Sequence, residues 1–341
     1  MSSSKAIVFF SAGIGDAVLL IPVVKRLKAK GYEVSGLFNS NMPCAEVMMN
    51  TGLLSESIDA RGKAQQALVS LTKLKRFDLA VLNYFACSRK NLLTAKAVAS
   101  RVVTNGQMTG EKGVERMDAK PNLHDAEQNL HIINESGFTL ADLSISKLPQ
   151  ADLNLPTNYI ALQISSGDPA IAYKNWPFDN WKKFLQLFFQ KFPQKRVVLL
   201  GNQHDVLPAQ QLEKEFENKL ISLAGKTTIT QAMQVLSNCE MFLGLDGGLM
   251  HLAVAFGKPT FTLWGPSNEK LYGYQQFDPQ KHACVRLNLN CFPCNAWIEP
   301  NLSKTQDPAH CPDHACLTLL DASDVFHRFE KYSASLPTHV R

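Results

Sequence analysis

One stretch constrains the fold more than any other: residues 240–266, EMFLGLDGGLMHLAVAFGKPTFTLWGP. Met241 to Leu245 is an apolar run of strand length, and Asp246-Gly247-Gly248 can turn it sharply into a helix. From Leu249 to Phe256 the apolar residues are almost continuous, which predicts a helix covered on most sides. Gly257 ends it and Pro259 bars its continuation. A second buried strand, Thr260 to Trp264, follows and is closed by Gly265-Pro266. A parallel crossover of this kind puts the carboxyl ends of both strands on one edge of a sheet. The expectation is an open α/β sheet whose ligands collect at that edge.

The turn itself has the chemistry of an anion site. Two glycines let a ligand approach the backbone closely, and the first-turn N–H groups of Gly248, Leu249 and Met250, with the helix dipole, favour a phosphate. Asp246 would either cap those N–H groups or accept from a hydroxyl. His251 would either donate to a phosphate oxygen or be a satisfied core histidine.

The chain opens on a related pattern. Ala6 to Phe10 reads as a strand, Ser11 to Asp16 as a loop with Gly13 and Gly15, and Ala17 to Lys30 as a helix with Pro22 in its early turns. Val34 to Phe38 is the next strand. This is not a dinucleotide fingerprint: Val18 holds the third glycine position, and the second strand ends in Asn39-Ser40 without a ribose-binding carboxylate. Asp16, at the mouth of the sheet, suits a general base or a helix cap. Strands near 57–59, 79–83 and 101–104 alternate with helical stretches near 63–75 and 90–99, as in a doubly wound parallel sheet. The seven basic residues from Arg89 to Lys120 read as a solvated face or as a surface for an anionic acceptor. A helix is expected over 124–137 and a linker over 138–158.

The second half repeats the alternation. Strands at 159–164, 196–200 and 220–223 are interleaved with helices ending near 192, 218 and 237. Ser166 lies on the loop after the first of these strands. Lys174, on the same loop, is either a point charge for a phosphate or simply solvated. The expected organisation is a Rossmann-like domain over 1–150, a second over 151–320 and a terminal helix within 321–341. A length of 341 residues suits two domains with separate cores, and 45% hydrophobic with 19% charged residues is an ordinary soluble composition. The net charge of +5 suits an anionic ligand or a membrane surface and is too mild to indicate nucleic acid. No apolar run approaches a membrane span and no cleavage-type signal opens the chain, so a cytoplasmic protein is expected. Cys291, Cys294, Cys311 and Cys316, with His310 and His314 nearby, are compatible with a structural zinc, reduced thiols or a disulfide.

Four ordered blocks carry a resemblance: Gly-Ile-Gly-Asp-Ala-Val-Leu-Leu-Ile-Pro at 13–22, Lys174-Asn175-Trp176-Pro177, Leu223 to Thr227, and Gly244 to Pro266. Together they resemble glycosyltransferase family 9, the lipopolysaccharide heptosyltransferases and their relatives. The resemblance implies the GT-B architecture, two Rossmann-like doubly wound domains facing across a cleft, with the acceptor mainly on the first and the nucleotide-sugar donor mainly on the second. It implies an inverting displacement in which Asp16 takes the proton of an acceptor hydroxyl and a nucleoside diphosphate leaves. Lys174 and the N–H groups after Asp246 would stabilise the departing charge without a bound metal. Gly13, Gly15 and Ser166 would line the cleft. The implied substrates are ADP-heptose or a related donor and a glycolipid or lipopolysaccharide-core acceptor, met at the cytoplasmic membrane face by peripheral contact. In similar folds the terminal helix crosses back onto the first domain. Two departures fall on the donor side: the family usually has Asp-Ser/Thr-Gly where Asp246-Gly247-Gly248 stands, and an Asn-Pro-Gly-Ala pattern near 165–173. A nucleotide-sugar epimerase of the same fold, or a non-catalytic nucleotide-sugar or glycan-binding protein, are the alternative readings.

Overall fold

A computed structural model describes residues 4–39, 42–60, 76–106, 112–118, 120, 122–146, 148, 153–294 and 311–336. The helix expected near 63–75, His310 and the last five residues lie outside this range. Two compact units divide the chain, residues 1–149 and 150–341, and each holds a six-stranded sheet.

In the first unit the strands are β1 (Lys5–Phe10), β2 (Glu33–Phe38), β3 (Glu56–Asp59), β4 (Phe77–Leu82), β5 (Ala99–Thr104) and β6 (Glu115–Arg116), in the order 3-2-1-4-5-6. Every pairing is parallel, with Phe9 of β1 beside Leu37 and Leu82. The apolar run of β1 is buried throughout from Ala6 to Phe10, as expected for a strand covered on both faces. Strand order reverses between β1 and β4, and the carboxyl end of β1, where the Gly13 loop begins, therefore sits at a topological switch point.

The second unit repeats the plan with β7 (Tyr159–Leu162), β8 (Arg196–Leu199), β9 (Leu220–Ser222), β10 (Met241–Leu245), β11 (Thr260–Leu263) and β12 (His282–Val285), in the order 12-11-10-7-8-9. The switch here lies between β7 and β10, where Leu162 is beside Leu243. Gly244 is required at this seam, because a Cβ there would meet the Phe242 ring at 2.8 Å and the Gln163 carbonyl oxygen at 3.0 Å.

Local chemistry modifies the expected elements in two places. The single helix expected over 17–30 is two, Ile14–Leu19 and Ile21–Ala29, and Pro22 stands in the first turn of the second. A missing N–H costs nothing there, whereas it would break a continuous helix. The segment read as a linker holds a short helix, Leu140–Leu143, started by Thr139 and Asp142, whose carboxylate accepts from the Thr139 N–H at 2.9 Å. The terminal helix, Ala322–Ser335, falls within the expected 321–341 and buries Val325, Phe329 and Tyr332 in the core of the second unit. There Phe329 packs edge-on against Phe184 and Phe261 at 5.7 and 5.3 Å. Among the described residues no helix is long and apolar enough to cross a membrane.

Candidate active site

The first station is built on the β1 loop. Gly13 is the N-cap of the helix Ile14–Leu19, with Gly15 in its first turn, and Asp16 stands three positions in. From there the Asp16 carboxylate turns back and its Oδ2 accepts from the Gly13 N–H at 2.8 Å. Glycine at 13 keeps that approach open, since a Cβ there would already stand 3.3 Å from Oδ2. The cap reading of Asp16 is thus realised, and the half-buried carboxylate also lines a small depression with Ser11, Ala12 and Asn83.

Two neighbours feel its charge. Burial and the Asp16 carboxylate push the Cys44 thiol up to about 12, and this thiol donates to the Ala12 carbonyl at 3.1 Å. Burial and the same carboxylate push Asp125 up to about 7, against a hydrogen bond from Asn129. The Asn129 amide donates to Asp125 at 3.0 Å and to the Leu19 carbonyl at 3.3 Å, tying the helix Asp125–His131 to the helix that carries Asp16. Sequence reading did not single out Asp125, because nothing in its own neighbourhood announces a partner more than a hundred residues earlier.

The second station lies at the carboxyl end of β10. The helix Gly248–Ala255 has Gly247 as its N-cap, and no side chain caps it. The cap reading of Asp246 is therefore corrected: its carboxylate, 7% exposed, accepts from protein donors away from the helix. Lys174 Nζ lies 2.6 Å from Asp246 Oδ2, and the hydroxyl of Ser267, on the loop after β11, donates to the same oxygen. Burial alone would raise the Asp246 carboxyl, but the charge and hydrogen bond of Lys174, the Ser267 hydroxyl and His251 hold it below the usual carboxylate range. The N–H groups of Gly248, Leu249 and Met250 are first-turn donors that have no acceptor within the helix.

His251 is buried one turn into that helix, and its Nδ1 shares a 2.6 Å hydrogen bond with the Tyr274 hydroxyl. Burial pushes the ring down to about 4, with Asp246 opposing and Lys174 adding to the effect. The imidazole is neutral at pH 7 and offers a ligand at most an uncharged N–H.

Lys174 reaches Asp246 because the residues around it are pinned. It ends a 3-10 turn, Pro169–Lys174. The next residue, Asn175, accepts from the Ser166 N–H at 2.7 Å, and the Ser166 hydroxyl donates within the same loop. Trp176, 2% exposed, donates from its indole to the Leu320 carbonyl at 2.9 Å. Of the residues expected at the site, the structure joins Lys174, Asp246 and His251 around one turn. Ser267, Tyr274 and Gln163, which help to build that turn, were missed. They come from other strands and loops, and only the fold brings them near.

Of the three readings of the cysteine cluster, zinc finds no support among the described residues. Cys291, Cys294, Cys311 and Cys316 line one cavity of about 410 Å³, but among the described residues no three His, Cys, Asp or Glu side chains are placed to hold a metal. Burial first, then the neighbouring sulfurs, raise Cys294 and push Cys316 up to about 11. No disulfide joins these residues.

Residues 52–302 match glycosyltransferase family 9 (heptosyltransferase). Along its length the chain is 23% identical to lipooligosaccharide heptosyltransferase 2 of Campylobacter jejuni subsp. jejuni serotype O:6, covering 96% of this chain and 99% of that one. Its fold is similar to the solved structure of E. coli ADP-heptose LPS heptosyltransferase II, with a TM-score of 0.71 at 19% identity over 96% and 98% of the two chains. It is also similar to E. coli heptosyltransferase WaaC with ADP-2-deoxy-2-fluoro heptose, at a TM-score of 0.66 and 15% identity over 96% and 99%. The two parallel doubly wound sheets are those of the GT-B fold.

Proposed function

This chain belongs to glycosyltransferase family 9, and on that premise we propose that it is an inverting heptosyltransferase of lipopolysaccharide-core assembly, moving a heptose from ADP-heptose to a glycolipid acceptor. The donor sits on the second unit and the acceptor is activated on the first. Asp16 takes the proton from an acceptor hydroxyl as that oxygen bonds to the anomeric carbon. The bond from that carbon to the diphosphate oxygen breaks, and ADP leaves with the electron pair. The Gly13 N–H bonded to Asp16 fixes the carboxylate in direction. Lys174 and the first-turn N–H groups of 248–250 meet the charge that gathers on the leaving diphosphate, so the step needs no bound cation.

The observation that carries this reading is Lys174 held 2.6 Å from Asp246 beside an uncapped helix N-terminus. A cation fixed before the reaction loses little to reorganisation when the diphosphate arrives. A relative named as a lipooligosaccharide heptosyltransferase and solved structures named for ADP-heptose or its 2-fluoro analogue support the choice of donor. A glycolipid acceptor would bring the protein to the cytoplasmic membrane face as a peripheral enzyme, for which a net charge of +5 is suited. Calorimetric titration with ADP-, UDP- and GDP-sugars tests the donor: tightest binding of ADP-heptose, followed by ADP release on adding a heptose-deficient core glycolipid, is expected. Equal affinity for all three nucleotides, or binding without transfer, would overturn it.

A further inference from the structure

Gln163 follows β7 at the switch point. Its backbone N–H is taken by the Leu243 carbonyl at 2.9 Å, and its side chain is only 8% exposed. The carboxamide oxygen, Oε1, is buried without a hydrogen-bond partner among the described residues. A buried amide oxygen left unmatched is destabilising, and native proteins retain few of them.

The position of the side chain gives a reason for its retention. A Cβ built on Gly247 would stand 3.8 Å from Oε1 and 3.9 Å from Nε2 of Gln163, so the carboxamide faces the turn between Asp246 and the helix N-terminus. Gly247 is extended, with φ 177° and ψ −177°, a conformation open to any residue, and 3.8 Å is ordinary contact. Neither backbone strain nor crowding demands glycine there. What glycine does is leave the carboxamide face uncovered, at the position where the resembling family usually carries a hydroxyl.

We propose that Gln163 is a sugar-reading residue, its carboxamide oxygen accepting from a hydroxyl of the sugar carried by the nucleotide donor and standing in for the side chain that position 247 lacks. The inference rests on the donor assignment above. Chemistry selects the ligand group: phosphate oxygens only accept, as Oε1 does, so a diphosphate cannot satisfy it, whereas a hydroxyl can. With the diphosphate against the first-turn N–H groups, the sugar attached to it is the adjoining source of hydroxyls.

The test compares wild type with Gln163→Met, of similar length and without the acceptor, titrated with ADP and with ADP-heptose. The variant should bind ADP within twofold of wild type and ADP-heptose about tenfold more weakly, the worth of one hydrogen bond. Its ligand-free melting temperature should hold or rise, because an unmatched buried acceptor has been removed. Equal loss for both ligands, no loss for either, or a lower ligand-free melting temperature would overturn the proposal. A wild-type protein that binds neither probe defeats the donor assignment instead, and the melting comparison still judges Gln163.

Discussion

Both units place an aspartate at the switch point of a doubly wound sheet, where a strand passes into a helix, and the two carboxylates behave in opposite ways. In the first unit the acid follows its glycines, Gly13-Ile14-Gly15-Asp16, which puts it inside the helix and lets it fold back on the Gly13 N–H. In the second the acid precedes them, Asp246-Gly247-Gly248, so the helix starts beyond it and its carboxylate takes Lys174 and Ser267. The order of acid and glycine along the chain decides the outcome. An acid after the glycines caps its own helix and keeps its charge near solvent. An acid before them leaves the helix terminus open for a ligand and stores a cation beside it.

The contrast breaks if the two aspartates prove interchangeable, and the largest effect should come from the first. Asp16→Asn keeps an oxygen for the Gly13 N–H but cannot take a proton, so transfer should fall about 10³-fold with ADP-heptose affinity within twofold; unchanged turnover in an ADP-release assay would remove Asp16 as the base. Next comes the stored cation. Lys174→Met should lower turnover about 10²-fold and, by leaving the buried Asp246 charge unpaired, lower stability by about 3 kcal/mol. Chemical denaturation of Lys174→Met/Asp246→Asn should recover most of that stability and none of the turnover.

Acid sensitivity sharpens the comparison further. Folding holds His251 near 4, below its ordinary 6.5, so between these values the unfolded chain takes a proton that the folded chain refuses. The contribution of His251 to stability is full above pH 6.5 and is lost as pH falls, by about 2 kcal/mol at pH 5. His251→Asn should be less stable at neutral pH yet flatter across that window, as followed by urea unfolding at each pH. The smallest effect is expected at Asp125, held up to about 7 in the first unit. Its ionisation above pH 7 sets a second negative charge beside Asp16 and strengthens the base. Wild-type transfer should rise about threefold through that pH, and Asp125→Asn should lose the rise while keeping its activity at pH 6.

Long-period features were legible in the sequence because they depend on local pattern. The buried runs of β1, β10 and β11 and the glycine stops after them fall where apolar length and turn chemistry place them. The break at Leu20 was harder to see, because Pro22 is compatible with one bent helix or with the first turn of a second. At the site, Asp16, Lys174 and Asp246 stood out as polar residues on loops beside strand ends. Ser267 and Gln163 did not, since a hydroxyl 21 residues beyond Asp246 and a glutamine just past the end of another strand acquire meaning only when β7, β10 and β11 lie side by side. The cysteine spacing suggested a cluster, and the fold places all four residues around one cavity.

The bond from the Trp176 indole to the Leu320 carbonyl joins the loop carrying Lys174 to the start of the chain's last helix. One residue, Asn175, separates the indole-bearing Trp176 from Lys174, so the last helix serves as a foundation for the ammonium group. A truncation or fusion that strains residue 320 would loosen the lysine without altering any side chain around it. For this enzyme, affinity handles belong at the other terminus.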